Sequence, residues 1–231
     1  MIAEDQKRAA GEAAVSLVAD GMVVGLGTGS TAAFFVRALA RRIAVEGLNV
    51  RGVPTSEATA ELARAGAITL VDLDAVGEVD LVVDGADEIG PGLDIIKGGG
   101  GALLREKLVW EAAVRRIVIA DSAKRVAQLG RFPLPVEVVG FGHAVTARRI
   151  AHATAALGVS GQPRLRQKDG RAVTSDGGNP IYDIPCGAVT DAHELARTLK
   201  GITGVIEHGL FLGLADEALI GANDGVLRLA S

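Results

Sequence analysis

The sequence predicts an α/β protein with a parallel sheet flanked by helices and a smaller α+β layer. Three observations predict this fold class. Short apolar runs alternate with amphipathic stretches through the first 129 residues, a proline-containing stretch at 132–135 interrupts the alternation, and apolar runs return at 210–229. Alternating strands and helices indicate βαβ units around a parallel sheet.

Composition limits the classes of protein to which this chain can belong. The chain has 231 residues, a net charge of -4 and one cysteine, Cys186. A weakly negative charge argues against nucleic acid as a main partner, and a single cysteine excludes an internal disulfide framework. No apolar run approaches the ~18 residues of a transmembrane helix, and residues 1–8 lack the apolar core of a signal peptide. We therefore expect a cytoplasmic protein that is not bound to a membrane.

Hydrophobic periodicity predicts each element of the first half, and glycine, proline or a capping residue ends most of them. Ser56 is the predicted N-cap of the third helix. The predicted helices cover 3–20, 32–45, 56–65 and 102–114. The predicted strands cover 22–26, 49–53, 68–71, 81–83 and 116–120.

The pattern of elements changes near residue 130. Residues 132–135 are expected to be extended, because proline disfavours helix in the residue before it. From there the order is one strand, one helix, two strands, one helix and one strand, which is typical of a small α+β layer. The predicted strands are 136–139, 164–167, 180–184 and 202–206, and the predicted helices are 145–156 and 191–199. We expect the tail, 210–229, to rejoin the first sheet.

Polar and charged residues cluster between Asp84 and Lys107. Asp84 and Asp87 follow the apolar run 81–83, and ligands bind at such strand ends in parallel sheets. Lys97 precedes four glycines, which we interpret as a loop because each would cost about 1 kcal/mol inside a helix. Glu106 follows on the predicted helix. Carboxylates, an ammonium group and accessible N–H groups suit a small anionic substrate with several hydroxyls.

The segment Gly27-Thr-Gly-Ser-Thr-Ala32 allows three interpretations. It fits the dinucleotide fingerprint G-x-G-x-x-A, but no carboxylate follows the second strand to hold a ribose. Alternatively, Ser30 and Thr31 offer hydroxyls and N–H groups to a phosphate at a helix N-terminus. The third interpretation is a glycine turn with Ser30 or Thr31 as the N-cap.

The carboxylates of the cluster also allow more than one interpretation. Asp84, Asp87 and Glu88 could bind Mg²⁺, although no P-loop accompanies them and Lys97 supplies a competing cation. They could equally be a charge cluster on the surface. Glu106 taken alone is more often a solvated helix residue than a base. The histidines show no metal-ligand spacing.

Five segments together resemble the ribose-5-phosphate isomerase A family across nearly the whole chain. They are Gly25–Thr31, Asp84–Glu88, Lys97–Lys107, Phe132–Glu137 and Gly204–Phe211. The resemblance implies interconversion of ribose 5-phosphate and ribulose 5-phosphate in the non-oxidative pentose phosphate pathway, without metal or cofactor. It also implies a Rossmann-like domain, 1–129 plus 206–231, with an inserted ferredoxin-like domain, 130–205, and a homodimer or homotetramer.

The resemblance also assigns residue roles. It makes Glu106 the base that moves a proton through an enediolate and Lys97 the cation that stabilises the oxyanion. Asp84 would help open the furanose ring, and Asp87 would line the same pocket. The remaining substrate and phosphate contacts would be Lys7, Thr28, Gly29, Ser30, Thr31, Gly85, Ala86, Gly98, Gly99, Gly100 and Lys124.

Two alternative functions use a similar fold. One is a non-catalytic sugar-phosphate sensor, although the sequence offers no basic helix-turn-helix segment for reading DNA. The other is a CoA-transferase-like enzyme in which a glutamate attacks an acyl-CoA. Under the resemblance, residues 162–179 and 191–200 fall in the smaller domain, where we expect little bearing on the chemistry.

Overall fold

The computed structural model describes residues 2–230, and the chain divides into two compact units. The first unit comprises Met1–Ala86, Arg105–Arg125 and Gly213–Ser231. The second comprises Asp87–Leu104 and Val126–Leu212. Each unit has its own sheets and its own hydrophobic core.

The helices and strands are numbered here in chain order. The helices are α1 Ala3–Val15, α2 Ser30–Glu46, α3 Glu57–Ala65, α4 Leu73–Val76, α5 Leu103–Glu111, α6 His143–Ala155 and α7 Ala192–Lys200. The strands are β1 Val23–Leu26, β2 Arg51–Pro54, β3 Thr69–Leu70, β4 Val79–Gly85, β5 Glu88–Ile89, β6 Ile95–Ile96, β7 Ala113–Asp121, β8 Leu134–Val138, β9 Arg164–Leu165, β10 Gln167–Lys168, β11 Arg171–Ala172, β12 Ile181–Ile184, β13 Val205–His208, β14 Leu210–Phe211, β15 Glu217–Ala222 and β16 Gly225–Ala230.

The first unit is built on a seven-stranded sheet in the order β16-β15-β7-β4-β1-β2-β3. Its strands run parallel except for β16, which is antiparallel to β15. The central strand β4 is buried along nearly its whole length, as expected for a strand covered on both faces. The prediction that the tail rejoins this sheet is confirmed for β15 and β16, since β15 pairs with β7 and β16 with β15, but wrong for Leu210–Phe211, which pairs with β6 in the second unit.

The second unit contains a four-stranded antiparallel sheet in the order β13-β8-β12-β9. In chain order its elements run β8, α6, β9, β12, α7, β13, which is the ferredoxin-like βαββαβ arrangement. The prediction of a Rossmann-like parallel sheet with a smaller α+β layer is confirmed. A further three-stranded sheet, β14-β6-β5, escaped prediction because its strands are only two residues long.

Several predicted boundaries differ from the structure for identifiable reasons. The helix predicted over 102–114 ends at Glu111, because Ala113 pairs with Val79 of β4 and strand pairing overrides helix propensity there. The helix predicted over 3–20 ends at Val15. There the Ser16 hydroxyl donates to the Ala13 carbonyl, a local bond that competes with the helix.

The two units also divide the chain differently from the predicted domains. Residues 87–104 belong to the second unit, because β5 and β6 pair with each other and β6 pairs with β14. The sequence prediction assigns 87–104, 126–129 and 206–212 to the first domain, whereas all three lie in the second unit. The predicted domain limits stay a prediction.

Two further observations concern membrane-spanning helices and the single thiol. No helix within residues 2–230 is long and apolar enough to cross a membrane. Cys186 is half-buried, and burial raises the pKa of its thiol to about 11. Since the thiolate is the reactive form, this shift disfavours reaction at Cys186, which packs against the core of the second unit.

Candidate active site

Asp84 lies at the end of β4 and is fully buried. Its Oδ1 accepts the backbone N–H groups of Thr28, at 3.0 Å, and Gly85, at 2.7 Å. Its Oδ2 accepts the indole N–H of Trp110 at 3.3 Å. One carboxylate therefore holds together the end of β4, the loop after β1 and helix α5.

The glycine at position 27 allows the loop after β1 to approach Asp84 this closely. A Cβ added to Gly27 would lie 2.3 Å from Oδ1 of Asp84, a distance that no side chain tolerates. Gly29 has a φ of +108°, a conformation that glycine adopts without strain. Both glycines of the predicted turn thus have a steric reason to be glycine.

Helix α2 begins directly after this turn. Its N-cap is Gly29, and no side chain caps the helix, so the interpretation of Ser30 or Thr31 as the N-cap is wrong. The Lys7 ammonium group donates to the Ser30 hydroxyl at 3.1 Å. A helix N-terminus beside an ammonium group is suited to an anion such as phosphate.

A buried glutamine connects this region to Lys124. Gln6 accepts hydrogen bonds from the backbone N–H and the hydroxyl of Ser122, at 3.2 and 3.0 Å. Ser122 starts the short 3-10 helix that ends at Lys124. The first turn of α1, with Lys7, is thereby tied to the segment that carries the second predicted phosphate ligand.

Four hydroxyls form a cluster behind the loop after β1. The Thr28 hydroxyl lies 2.7 Å from that of Thr55, 2.8 Å from that of Ser56 and 3.2 Å from that of Thr59. The Thr59 hydroxyl also donates to the Gly27 carbonyl at 3.0 Å. A dinucleotide fold would place a ribose-binding carboxylate at this end of β2, but a network of hydroxyls occupies the position.

Glu106 lies in the first turn of α5 and is only 3% exposed. Trp110, which donates to Asp84, follows one helical turn later, and residues four apart share a helix face. The same face of α5 therefore carries Glu106 and faces the end of β4.

The residue before Glu106 forms an ion pair with a neighbouring helix. Arg105 pairs with Glu57 of α3 at 2.8 Å, and that hydrogen bond lowers the pKa of the Glu57 carboxyl.

The second unit carries the predicted cation and the glycine loop. Lys97 is 2% exposed, its backbone N–H donates to the Gly209 carbonyl at 2.9 Å, and its ammonium lies 5.8 Å from the Phe211 ring centre. Asp87 is half-buried and accepts the Gly99 N–H at 2.8 Å. Gly99 and Gly100 are exposed, whereas Gly98 is buried.

Glu88 has a structural role within the second unit. It is 1% exposed, and its carboxylate accepts the N–H groups of Gly130, at 2.7 Å, and Phe132, at 2.6 Å. Because Asp84 and Glu88 are both buried, the interpretation of these carboxylates as a surface charge cluster is wrong. Within residues 2–230, no group of three or more His, Cys, Asp or Glu side chains is arranged to hold a metal ion.

The structure places the predicted residues in both units, whereas the sequence prediction placed them in one domain and missed several residues that support them. Lys7, Thr28 to Thr31, Asp84 to Ala86, Glu106 and Lys124 belong to the first unit, and Asp87 and Lys97 to Gly100 to the second. That both groups meet one substrate stays a prediction. The supporting residues that were missed are Gln6, Thr55, Thr59 and Trp110. Gln6 carried a usable signal, since it lies four residues before Ala10 on the buried face of α1.

Comparisons with known proteins show which family this chain resembles. A family model described as ribose 5-phosphate isomerase A (phosphoriboisomerase A) matches residues 51–225. Two curated proteins named ribose-5-phosphate isomerase A are highly similar to the chain. The one from Caulobacter sp. strain K31 is 61% identical over 229 residues, and the one from Caulobacter vibrioides strain NA1000 is 62% identical over 230 residues. Each match covers 99% of both chains.

Solved structures are similar over the whole chain as well. Ribose 5-phosphate isomerase A from Methanocaldococcus jannaschii superposes with a TM-score of 0.92 at 41% identity, covering 99% of each chain. A D-ribose-5-phosphate isomerase in complex with phospho-erythronic acid superposes with a TM-score of 0.93 at 34% identity, covering 100% of each chain.

Proposed function

Because the chain belongs to the ribose 5-phosphate isomerase A family, we propose that it interconverts ribose 5-phosphate and ribulose 5-phosphate with Glu106 as the base. The observation that carries the residue assignment is the burial of Glu106 in the first turn of α5, on the helix face that meets Asp84 through Trp110. A buried carboxylate beside a strand-end loop suits a base that acts on a sugar shielded from water.

In this proposal the reaction moves one proton between neighbouring carbons of the open-chain sugar. Glu106 removes the proton from one carbon of the C1–C2 pair and returns it to the other through an enediolate. Lys97 stabilises the negative charge that develops on the oxygen. A preorganised donor of this kind is worth about 2.7–4 kcal/mol in typical enzymes. Asp84 assists opening of the furanose ring, and Asp87 lines the sugar pocket.

The phosphate of the substrate binds at the start of α2. Support comes from the uncapped helix N-terminus at Gly29, the Lys7 ammonium beside Ser30, and the Gln6–Ser122 bonds that bring in the Lys124 segment. These groups combine a helix dipole with side-chain cations, the combination that favours a phosphate dianion. The backbone N–H groups of Gly29 to Thr31 contact the phosphate, because the Thr28 N–H already donates to Asp84.

Replacement of Glu106 by glutamine tests the base. Glu106→Gln keeps the shape of the side chain but cannot accept the proton, so we expect kcat to fall about 10²–10⁴-fold with little change in KM. A coupled assay of ribose 5-phosphate conversion measures both constants. Glu111→Gln on the same helix, where the side chain is exposed, is the matched control and should keep normal kinetics. Full turnover by Glu106→Gln would exclude Glu106 as the base.

The proposal extends to assembly and cellular context. We expect a homodimer or homotetramer acting in the cytoplasm, in the non-oxidative pentose phosphate pathway. These expectations rest on the resemblance that the sequence segments carry. Light scattering from the purified protein measures the assembly directly.

A further inference from the structure

An arginine from the hairpin region of the second unit contacts the glycine loop. Arg166 lies between β9 and β10, and its side chain is 14% exposed. Its Nη1 donates to the carbonyls of Gly98, at 2.9 Å, and Gly99, at 3.2 Å. This contact joins the segment 162–179, where we expected little bearing on the chemistry, to the glycine loop.

The carboxylate of Asp183 orients the Arg166 guanidinium group. Nε of Arg166 donates to Oδ2 of Asp183 at 2.9 Å, and Nη2 donates to Oδ1. The backbone of Arg166 is also held, since its N–H donates to the Ile181 carbonyl at 2.8 Å and its carbonyl accepts from Val173 at 2.9 Å. A fork–fork pair of this kind leaves the remaining N–H groups of the guanidinium pointing in a set direction.

The opposite side of the same loop is held by Asp87. Its carboxylate accepts the Gly99 N–H at 2.8 Å, so Gly99 is bound through its N–H to an anion and through its carbonyl to a cation. Gly98 has a φ of +105° and its carbonyl also accepts from the Gly101 N–H at 3.0 Å. Glycine segments lose the most freedom on ordering, and these bonds hold the loop in one conformation.

The contact has an electronic effect as well as a geometric one. A cation on a peptide carbonyl polarises that peptide, and its N–H becomes a stronger donor. The Gly99 carbonyl, which accepts from Arg166, and the Gly100 N–H belong to the same peptide bond. Gly100 is exposed. Arg166 therefore acts on a donor that the proposed site presents to substrate.

We propose that Arg166, oriented by Asp183, is a positioning residue that holds the glycine loop so that Lys97 and the loop N–H groups meet the substrate. Arg166 touches no reacting atom in this scheme and acts only through the loop. Lysine cannot replace it, because a single ammonium group cannot pair with Asp183 in two places and also reach two carbonyls. This inference rests on the proposed active site.

The kinetic test compares Arg166→Ala and Arg166→Lys with Arg171→Ala, an exposed arginine of the neighbouring strand β11. We expect kcat/KM to fall on the order of 10- to 100-fold in both Arg166 variants, mostly through kcat, and to stay normal in Arg171→Ala. Guanidinium ion at sub-denaturing concentration should restore part of kcat in Arg166→Ala and leave kcat of the other variants unchanged. A merely structural arginine would lower the folded fraction and leave kcat per folded molecule, KM and guanidinium response unchanged.

Hydrogen exchange supplies a readout that does not depend on catalysis. The Gly99 and Gly101 amides should exchange faster in Arg166→Ala than in the parent protein, while α6 and α7 exchange at the parent rates. If Arg166→Ala does not fold, Asp183→Asn, which weakens only the orienting pair, should show a smaller change in the same direction. Normal kinetics and normal loop exchange in these variants would overturn the inference.

The Glu106→Gln variant separates this inference from the proposed function. If the Arg166 variants are normal but Glu106→Gln is inactive, the inference fails and the proposed function stands. Full activity in Glu106→Gln would instead exclude Glu106 as the base, whatever the Arg166 variants show.

Discussion

At the scale of single residues, the first unit depends on the close approach of Gly27 to Asp84. The carboxylate is fully buried and accepts hydrogen bonds from Thr28, Gly85 and Trp110. These bonds satisfy a charged group that would be costly to bury alone. Position 27 must lack a side chain for the Thr28 N–H to reach Oδ1, so the glycine and the aspartate operate as one feature.

Gly27→Ala tests this feature. The new Cβ would overlap the Asp84 carboxylate, which has to move and give up its hydrogen bonds. Because a displacement near 1 Å in an active site can cost about 10²-fold in rate, we expect kcat/KM to fall by about that factor. Gly140→Ala is the control, since its nearest neighbour, Cδ of Pro180, lies at 3.8 Å. Normal kinetics in Gly27→Ala would show that Asp84 can move without consequence.

At the scale of elements, α3 both packs in the first unit and supports the loop after β1. Its N-cap, Ser56, was predicted from the sequence and is confirmed, because the side chain accepts the Thr59 N–H. The same hydroxyl accepts from Thr28 at 2.8 Å. The cap of one helix thus extends into the loop that precedes another, and this second role was not visible from residue spacing.

Ser56→Ala should destabilise the protein. Loss of an N-cap hydroxyl costs about 0.5–2 kcal/mol, and the Thr28 hydroxyl loses one of its acceptors as well. We expect the free energy of unfolding in urea to fall within that range. The control is Asp72→Ala, because Asp72 is the N-cap of α4 but makes no side-chain cap bond. Equal losses in the two variants would contradict the assigned cap.

At the scale of the whole molecule, the chain returns to the first sheet only after the second unit is complete. Strand β15 pairs with β7, and its residues Ala218, Leu219 and Ile220 are buried. Strand β16 is an edge strand and mostly exposed. The first unit therefore needs residues from both ends of the chain, and the two C-terminal strands contribute very differently to it.

Two truncations test this difference. A chain that ends at Asp224 loses only the edge strand and the contact of Arg228 with Glu217, so it should fold and keep its activity with a lower melting temperature. A chain that ends at Ala215 loses β15, in which each fully buried large apolar side chain contributes about 1.5–3 kcal/mol, and should be insoluble. Soluble yield and thermal unfolding measure both effects. A stable, active chain ending at Ala215 would contradict the role given to β15.

Taken across these scales, the sequence alone determined the alternation of strands and helices, the separate α+β layer, the return of the tail and the identity of the glycine- and carboxylate-rich segments. These features are local, because periodicity, prolines, glycines and caps act over a few residues. The tertiary structure alone decided the rest. The Thr28 hydroxyl cluster, the Gln6 link to the Lys124 segment and the Arg166 contact with the glycine loop join residues 27 to 116 positions apart in sequence. No local pattern encodes such contacts, since they form only when strand pairing brings distant strand ends and loops together.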